Sequence, residues 1–500
     1  MSAATAQARP AQRKPAAGPP GTANGAAARL SPAEWARLTP AERAERGKAA
    51  RVTVPRQSHA DFRLRADRAD PIKLLEQQAR HRLPDLIPVR YGRMAESPFS
   101  YYRGAALPMA HDLAATPVSG LTVQACGDAH LSNFGVFGSP ERRLLFDIND
   151  FDETLPGPWE WDVKRLVASL EVAARDNGYP RKERNQIVIA AAAGYRQAMR
   201  EFAATTNLDV WYARADVEVI RQQFADQLKS AQRKRVDKDM AKARTRDSMQ
   251  ALSKLTTVAD GQPRIAADPP LVVPASDLVP DAAKRAALVE QLNRLLSGYK
   301  RTLATDRKML LDQYALVDLA RKVVGVGSVG TRCWIILMFG RDESDPLFLQ
   351  IKEAEESVLA PFAGASAYDN QGHRVVAGQR LMQASSDIFL GWQRNPTGLD
   401  DNQPHDFYVR QLRDWKYSLD TATMVPRGMR QYAGLCGWTL ARSHARSGDR
   451  VAIAAYLGSS DAFDRAIAEF AVAYADQNDR DYRNLLDAIK AGRVPAEHGV

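Results

Sequence analysis

A glycine-rich hexapeptide followed by an extended segment constrains the fold of this chain more than any other part of its 500 residues. Gly325-Val326-Gly327-Ser328-Val329-Gly330 matches the spacing G-x-G-x-x-G, which two different nucleotide-binding arrangements use. In one of them the glycines open a helix. Here residues 331–337 are rich in β-branched and aromatic types, which favour a strand. The pattern therefore predicts a strand, a glycine loop and a second strand, with the loop covering the phosphates of a nucleotide.

A lysine at the end of the next apolar segment fits this arrangement. Residues 347–351 are Leu-Phe-Leu-Gln-Ile, and Lys352 follows them. A fixed ammonium at that place can meet the α- and β-phosphates. The alternative is a glycine-rich hairpin whose strand-end lysine extends to solvent. The residues expected to hold the nucleotide are Gly325, Gly327, Ser328, Gly330 and Lys352. The candidates for the carboxylate that orients the lysine are Glu353, Glu355 and Glu356.

A second candidate motif lies much earlier in the chain. Residues 126–133 are Cys-Gly-Asp-Ala-His-Leu-Ser-Asn, which places Asp128 and Asn133 five residues apart. Phosphoryl transfer uses this spacing, since the Asp accepts the proton of the acceptor hydroxyl and the Asn oxygen binds Mg²⁺. Residues 146–153 then contain three aspartates and a glutamate, which repel one another unless a cation lies among them. The alternative for either motif is a solvent-facing acidic turn or a helix cap. Asp162 is expected to stabilise the start of its own helix through the helix dipole.

Charge and composition narrow the class of protein. The net charge is +10, but residues 1–60 contain ten Lys or Arg and three Glu, so the excess is concentrated in a basic N-terminal segment. A solubilising tail is expected there, and nucleic acid is not an expected partner beyond weak contact by that tail. No apolar run approaches the ~18 residues of a membrane span. Three widely spaced cysteines indicate neither a disulfide framework nor a zinc site. With no secretory signal visible, a cytoplasmic location is expected.

The order of patterns along the chain predicts four segments. Residues 1–30 are rich in Ala, Pro and Gly, and a short helix is expected to begin at the Ser31-Pro32 pair. Apolar residues at helical spacing over 161–175 predict a helix, residues 258–280 with their prolines an extended connector, and residues 407–412 a strand. The expected segments are a disordered basic tail (1–47), a helical lobe with the catalytic and metal loop (48–315), a β-rich phosphate-binding lobe (316–415) and helices that complete the larger lobe (416–500).

The acidic region resembles the catalytic loop of aminoglycoside-phosphotransferase-like kinases. Residues 127–133 are similar to their H-G-D-x-H-x-x-N motif, with Cys126 where those kinases have His. Asp150-Phe151-Asp152, the Gly157-Pro158 pair and Asp162 resemble the following motifs of that superfamily at similar spacing. The resemblance implies Asp150 as the best magnesium ligand together with Asn133, with Asp147 and Asp152 in reserve.

A longer resemblance covers about residues 48–485, which are similar to the bacterial domain-of-unknown-function family 2252. The stretches that carry it are residues 97–104, 126–135, 146–153, 324–332, 350–354, 378–392 and 440–449. It implies a protein-kinase-like fold without implying a substrate. The order of the parts is inverted, however, because the glycine loop precedes the catalytic loop in the related kinases. We therefore expect a circular permutation, in which the helix containing Leu440 and His444 packs beside Gly127 and Asp128.

Together these observations predict an α+β, two-lobed, protein-kinase-like fold in permuted order, with additional helices. The expected activity is ATP- and Mg²⁺-dependent transfer of phosphate to a hydroxyl of a small molecule or protein, with Asp128 as the base. Three alternatives stay open at this point. One is a metal-dependent phosphohydrolase that uses the acidic cluster without Lys352, another is a non-catalytic nucleotide-binding module, and the third transfers the nucleotidyl part of ATP. Neither the acceptor nor the oligomeric state follows from the sequence.

Overall fold

The computed structural model describes residues 32–224, 240–259, 261–395, 403–412 and 415–500, which fold into a mixture of α-helices and small β-sheets. The helices of the first half are α1 (Pro32–Trp35), α2 (Pro40–Thr53), α3 (Pro71–Ala79), α4 (Ile87–Met94), α5 (Pro98–Gly104), α6 (Ala106–Leu113), α7 (Trp159–Asp176), α8 (Arg181–Ala203), α9 (Asn207–Tyr212) and α10 (Val217–Phe224). Those of the second half are α11 (Ser248–Leu255), α12 (Ala275–Leu278), α13 (Ala282–Lys300), α14 (Thr305–Leu311), α15 (Ala360–Ala363), α16 (Gln371–Met382), α17 (Pro426–Ser447), α18 (Arg450–Leu457) and α19 (Ala462–Lys490). The strands are β1 (Thr122–Ala125), β2 (Phe134–Gly138), β3 (Leu144–Ile148), β4 (Leu155–Pro158), β5 (Ala215–Asp216), β6 (Thr256–Ala259), β7 (Gln262–Ile265), β8 (Val272–Pro274), β9 (Ala315–Lys322), β10 (Cys333–Phe339), β11 (Pro346–Glu353), β12 (Gly391–Asn395) and β13 (His405–Gln411). Within the described ranges, no helix combines the length and apolar character that a membrane crossing needs.

Helix α2 shows that ordered structure begins earlier than the sequence suggests. Its first turn carries a capping box, in which the Thr39 side chain accepts the Glu42 N–H and the Glu42 carboxylate accepts the Thr39 N–H. Arg43 and Arg46 then form ion pairs with Asp449 at 2.8 and 3.2 Å. The expected tail of residues 1–47 is therefore wrong for residues 40–47, because these arginines bind a distant aspartate instead of remaining solvated. Residues 1–31 lie outside the described residues, and the helix expected after them is present as α1.

Helices α7, α8, α17 and α19 pack into the main hydrophobic core. Helices α8 and α17 approach closely because small residues face each other. A Cβ atom on Gly437 would lie 2.1 Å from the carbonyl oxygen of Ala191, and one on Gly194 would lie 2.5 Å from that of Gly434. The helix expected over residues 161–175 is present as the buried α7. This packing fixes the C-terminal helix α17 against the first half of the chain.

A six-stranded antiparallel sheet forms the β-rich part, with the strand order β12-β13-β11-β10-β9-β8. Strand β10 pairs with β9 on one side and β11 on the other, and Cys333 lies opposite Lys352. One face of the sheet, which includes Trp334, packs against Leu292 and Leu296 of α13. The β-rich region expected at 316–415 is thus present. Its sheet starts earlier, at β8, and α13 shares its core. The expected connector over 258–280 begins inside the β6–β7 pair and also contains β8 and the short helix α12.

The acidic region is a pair of small antiparallel units. Strand β1 pairs with β4, and β2 pairs with β3, which also pairs with β5. Residues 127–133 leave the end of β1, and residues 149–153 leave the end of β3. The backbone N–H of Asn149 donates to the carbonyl of Asn133 at 2.8 Å, so the two acidic loops lie side by side.

Candidate active site

The glycine loop joins β9 to β10, as the sequence predicts. Gly325 and Gly330 have φ values of 64° and 90°, a backbone region that favours glycine. The loop is held down on the helical part by Val326, which is buried against side chains of α4 and α5. Arg93 donates to the carbonyl of Gly325 at 2.6 Å, and Arg82 donates to that of Val329. The glycine loop therefore packs at the junction between the six-stranded sheet and helices α4 and α5.

Lys352 lies beneath this loop and contacts the acidic cluster. Its side chain is 2% exposed, and its Nζ forms a salt bridge with Asp152 Oδ2 and lies 3.9 Å from Asp150 Oδ2. Tyr408 on β13 donates to Asp152 Oδ1 at 2.7 Å. From the glycine loop, the Ser328 hydroxyl donates to Asp152 Oδ2 at 3.3 Å. Asp152 thus joins the loop, the sheet and the acidic region at one point.

The charges of this cluster shift one another. Burial alone would raise the pKa of Asp152, but the charge of Lys352 and the hydrogen bonds from Lys352 and Tyr408 lower it to about 2. Burial raises the pKa of Asp150 above its ordinary value, and the nearby Asp152 carboxylate adds to that shift. Burial also raises the pKa of Glu153 to about 7. Lys352 and Asp152 therefore form the charged pair. A cation beside Asp150 would offset the burial and the repulsion from Asp152 that raise its pKa.

Asp128 lies at the turn after β1 and has an unpredicted partner. Arg165 of α7 donates from Nε to Asp128 Oδ1 at 2.8 Å, and Asp128 is 19% exposed. The Asn133 side chain donates from Nδ2 to the backbone carbonyl of Asp128 at 2.8 Å, which leaves its Oδ1 as the atom for a metal. His130 is buried with its Nε2 3.8 Å from Asp128 Oδ2. Burial and the charges of Arg103 and Arg165 lower its pKa well below the ordinary value.

Asp162 connects the turn before Asp128 to the C-terminal helix α17. Its carboxylate accepts the backbone N–H groups of Cys126 and Gly127 at 2.6 and 2.9 Å. The same side chain lies 3.0 Å from His444 Nε2, and Tyr195 contacts His444 Nδ1 at 2.9 Å. The end of α17 is therefore linked to the turn at Cys126 and Gly127, as expected for Gly127, but the link runs through Asp162 and does not include Asp128. The backbone hydrogen bonds of the Asp162 carboxylate go to the loop before Asp128, whereas the sequence predicts that Asp162 stabilises the start of its own helix.

A cavity of about 90 Å³ lies between the glycine loop and the acidic loops. The predicted site residues on its wall are Asp128, Asn133, Asp150, Gly325, Gly327 and Ser328. Lys352 adjoins it through Asp150 and Asp152, whereas Gly330 packs outside it, where an added Cβ would lie 3.0 Å from Arg82 Cβ. Residues from three distant parts of the chain therefore meet around one polar cavity.

Comparison with known families covers most of the chain. Residues 82–488 match the family model DUF2252, described as an uncharacterized protein conserved in bacteria. The chain belongs to family DUF2252. No curated protein matches it, and no solved structure matches it. The matched region contains the acidic loops, the glycine loop and α17. All three therefore lie in the part of the chain that the family model covers.

Two sequence expectations for this DUF2252 chain are wrong. Asp147, expected as a reserve metal ligand, is 1% exposed, forms a salt bridge with Arg442 at 2.6 Å and accepts the Ala384 N–H at 2.8 Å. Asp147 therefore joins β3 to α17 and to the residues that follow α16. Glu353 does not orient Lys352, because it pairs with Arg332 and with His405 Nδ1 at 2.7 Å.

The other candidate glutamates do not orient the lysine either. In the described part of the DUF2252 chain, the carboxylates that contact Lys352 are Asp152 and Asp150. Sequence reasoning also missed four site residues, which are Arg165, Arg374, Tyr408 and Arg410. Arg374 on α16 donates to the backbone carbonyls of Asp152 and Glu355, both at 2.8 Å. No local pattern marks these residues, because each acts across a large sequence separation or from the middle of an ordinary helix.

Asp150 and Asn133 carry the donor atoms that suit a metal ion at this cavity. Among the described residues, no group of three or more His, Cys, Asp or Glu side chains is arranged to hold a metal ion. Mg²⁺ needs fewer protein ligands, since it is usually bound by one or two carboxylates together with water and substrate phosphates. Asp150 and Asn133 line the same cavity, and their side chains carry hard oxygen donors. The DUF2252 site therefore fits a magnesium ion bound jointly with phosphate oxygens.

Proposed function

We propose that this protein is an ATP- and Mg²⁺-dependent phosphotransferase that acts on a hydroxyl of a small molecule or protein. One observation carries the proposal: the glycine loop, the Asp150–Asp152 cluster and Asp128 line one cavity, and Lys352 adjoins it through its contacts with Asp150 and Asp152. These parts are far apart in the sequence, and phosphoryl transfer needs them together. If the acidic loop were only a solvent-facing turn and the glycine loop only a hairpin, the two would not be expected to line the same cavity.

Each part has a role that follows from its contacts. Backbone N–H groups of residues 325–328 and the Lys352 ammonium hold phosphate oxygens. When bound, Mg²⁺ neutralises charge on those oxygens, and Asp150 and Asn133 would hold it. Asp128 accepts the proton of the acceptor hydroxyl, and Arg165 fixes the orientation of its carboxylate. Positioning and charge neutralisation supply most of the rate, since little covalent chemistry is asked of the protein.

The lysine of this site is held differently from that of protein kinases. There, a glutamate on the helix after the lysine strand forms an ion pair with the lysine. The corresponding helix here, α16, contains neither Asp nor Glu and carries Arg374, which holds the backbone of the acidic loop instead. Asp152 supplies the carboxylate to Lys352. We infer that the ammonium exchanges Asp152 for phosphate oxygens when the nucleotide binds.

A two-lobed, kinase-like fold in permuted order accounts for the connectivity. The lysine strand is the third of three consecutive antiparallel strands, with the glycine loop between the first two. The sheet leads through β13 to α17, and the end of α17 meets the turn before Asp128 through His444 and Asp162. The helix that would run directly into a catalytic loop thus reaches it in space, although the loop lies earlier in the sequence.

The glycine loop has to move for a nucleotide to bind. The cavity of about 90 Å³ is smaller than the roughly 300–1,000 Å³ of ordinary ligand pockets. Among the described residues, one side-chain hydrogen bond joins the glycine loop to the acidic cluster, from Ser328 to Asp152, and phosphate oxygens can replace both partners. We therefore propose that the structure shows a closed form that opens on nucleotide binding.

Turnover of ATP in the presence of Mg²⁺, followed by ³¹P NMR, tests the proposal. The proposal predicts slow formation of ADP and phosphate, abolished by Lys352→Met and reduced at least ~100-fold by Asp128→Asn. The matched control for Asp128→Asn is Asp306→Asn. It removes an exposed carboxylate that, like Asp128, is paired with an arginine, and it should leave turnover unchanged.

Two other product patterns would replace the proposal. Release of AMP and pyrophosphate would assign the site to nucleotidyl transfer. Hydrolysis of a phosphate monoester that needs divalent metal, needs no nucleotide and survives Lys352→Met would assign it to a phosphohydrolase.

A further inference from the structure

Three arginines on the helical side of the cavity belong to none of the phosphoryl-transfer motifs. Arg82 precedes α4, Arg90 lies on α4 and Arg103 lies in the last turn of α5, and all three line the cavity beneath the glycine loop. Across the described ranges, none of the three forms an ion pair with a carboxylate. This differs from the neighbouring Arg165, which is paired with Asp128.

These arginines carry buried donors without acceptors. Arg90 is completely buried, and its Nη2 donates to Gln78 Oε1 at 3.1 Å and to the Gly104 carbonyl at 3.3 Å. Its Nε and Nη1 have no partner among the residues that the structure describes, and the same holds for Nε of Arg82 and of Arg103. Burial lowers the pKa of Arg90 to about 9, and the charge of Arg82 adds to the shift. A buried cation without a partner is costly, so an anion bound here is strongly favoured.

We propose that Arg90 and Arg103 form a binding subsite for a phosphate group, next to Asp128 and below the glycine loop. The proposal rests on the proposed function only for the identity of the molecule that carries the phosphate. That carrier is either the nucleotide or an acceptor that is itself phosphorylated.

The surroundings of the two arginines favour a phosphate group over a larger ligand. Guanidinium groups bind tetrahedral oxyanions through paired hydrogen bonds. The backbone of the loop comes close to α5, since a Cβ on Gly327 would lie 3.2 Å from the Arg103 carbonyl oxygen. A cavity of about 90 Å³ in this place suits a group of a few atoms. The rest of the cavity wall carries carboxylates, so a bound phosphate has to lie on the side of the arginines. These carboxylates belong to Asp128, Asp150, Asp152, Glu153, Glu353 and Glu355.

Calorimetric titration of the full chain with inorganic phosphate, without nucleotide or Mg²⁺, tests the subsite. The wild type should bind phosphate, and Arg103→Met and Arg90→Met should each weaken binding by about 10- to 100-fold, as expected for loss of charge-assisted hydrogen bonds. Arg301→Met removes an exposed arginine outside the cavity and is the matched control for net charge. Its affinity for phosphate should equal that of the wild type.

Folding of the variants is checked separately. Arg103 makes no side-chain hydrogen bond within the described residues and has a buried Nε without an acceptor. Arg103→Met should therefore unfold at or above the wild-type temperature and remain informative even if Arg90→Met is unstable. Absence of phosphate binding in the wild type, or unchanged binding in Arg103→Met, would overturn the proposal. Neither result depends on nucleotide, so a failed ATP experiment does not decide it.

Competition with ATP and Mg²⁺ identifies the carrier. Displacement of phosphate by saturating nucleotide would assign the subsite to the nucleotide's own phosphates. Simultaneous binding of both would assign it to a phosphorylated acceptor. Either outcome supports the subsite, provided that Arg103→Met weakens phosphate binding.

Discussion

Replacing Asp162 should uncouple the loop of residues 126–133 from helix α17. Asp162 is 1% exposed, and its carboxylate accepts hydrogen bonds from the backbone N–H groups of Cys126 and Gly127 and contacts His444. Asp162→Ala leaves both N–H groups and the imidazole without this acceptor. Hydrogen bonds to charged groups contribute about 1.5–3 kcal/mol each, and breaking a buried pair costs about 3–5 kcal/mol. Because the three contacts share one side chain and do not add fully, we expect unfolding free energy to fall by about 3–5 kcal/mol.

Unfolding in guanidinium chloride, followed by two spectroscopic probes, measures this loss. Asp162→Asn keeps one carbonyl acceptor and should lose roughly half as much. A double-mutant cycle with His444→Gln should give a coupling energy of about 0.5–3 kcal/mol, the range of residues in contact. Asp306→Ala, at an exposed position, should stay within about 0.5 kcal/mol of the wild type. A loss below about 1 kcal/mol in Asp162→Ala, or additive effects in the cycle, would refute the reasoning.

Two further predictions concern buried charges near the site. The folded pKa of Glu153, about 7, lies above its ordinary value of 4.5, so its stabilising contribution is complete below pH 4.5 and is lost as the pH rises through 7. Across that range the wild type should lose up to about 3 kcal/mol relative to Glu153→Gln, measured by chemical denaturation at several pH values; parallel pH profiles would contradict this. Arg442→Met leaves the buried Asp147 without its counter-charge and should cost about 3–5 kcal/mol, much of it recovered by adding Asp147→Asn. An unchanged unfolding midpoint in Arg442→Met would show that the pair does not form.

Local patterns were enough to predict the elements that carry the candidate site. The glycine loop, the lysine strand and the Asp128–Asn133 spacing are each encoded within a few consecutive residues, and the structure places them in the expected elements. The alternation of side chains along a strand argues against Glu353 as the partner of Lys352. Neighbouring residues of a strand point to opposite faces, so Glu353 cannot share the face of Lys352.

Partners across long sequence separations could not be read from the sequence. Asp147 and Asp150 look alike within one acidic run, yet Arg442, which is 295 residues away, neutralises the first and leaves the second at the cavity. Arg43 likewise looks like part of a basic tail in the sequence, but in the structure it pairs with Asp449, the residue that precedes α18. Such choices depend on which helices pack together, and local composition does not encode that packing.

Thermal unfolding with and without ATP and Mg²⁺ tests the central claim most directly. ATP at about 100 times its dissociation constant should stabilise the wild type by roughly 2.7 kcal/mol, provided that Mg²⁺ is present. Lys352→Met and Asp150→Asn should both lose most of this stabilisation, whereas Lys284→Met, at an exposed position on α13, should retain it. Stabilisation by divalent metal alone, or an ATP effect that survives both substitutions, would contradict the assignment of this cavity as a nucleotide site.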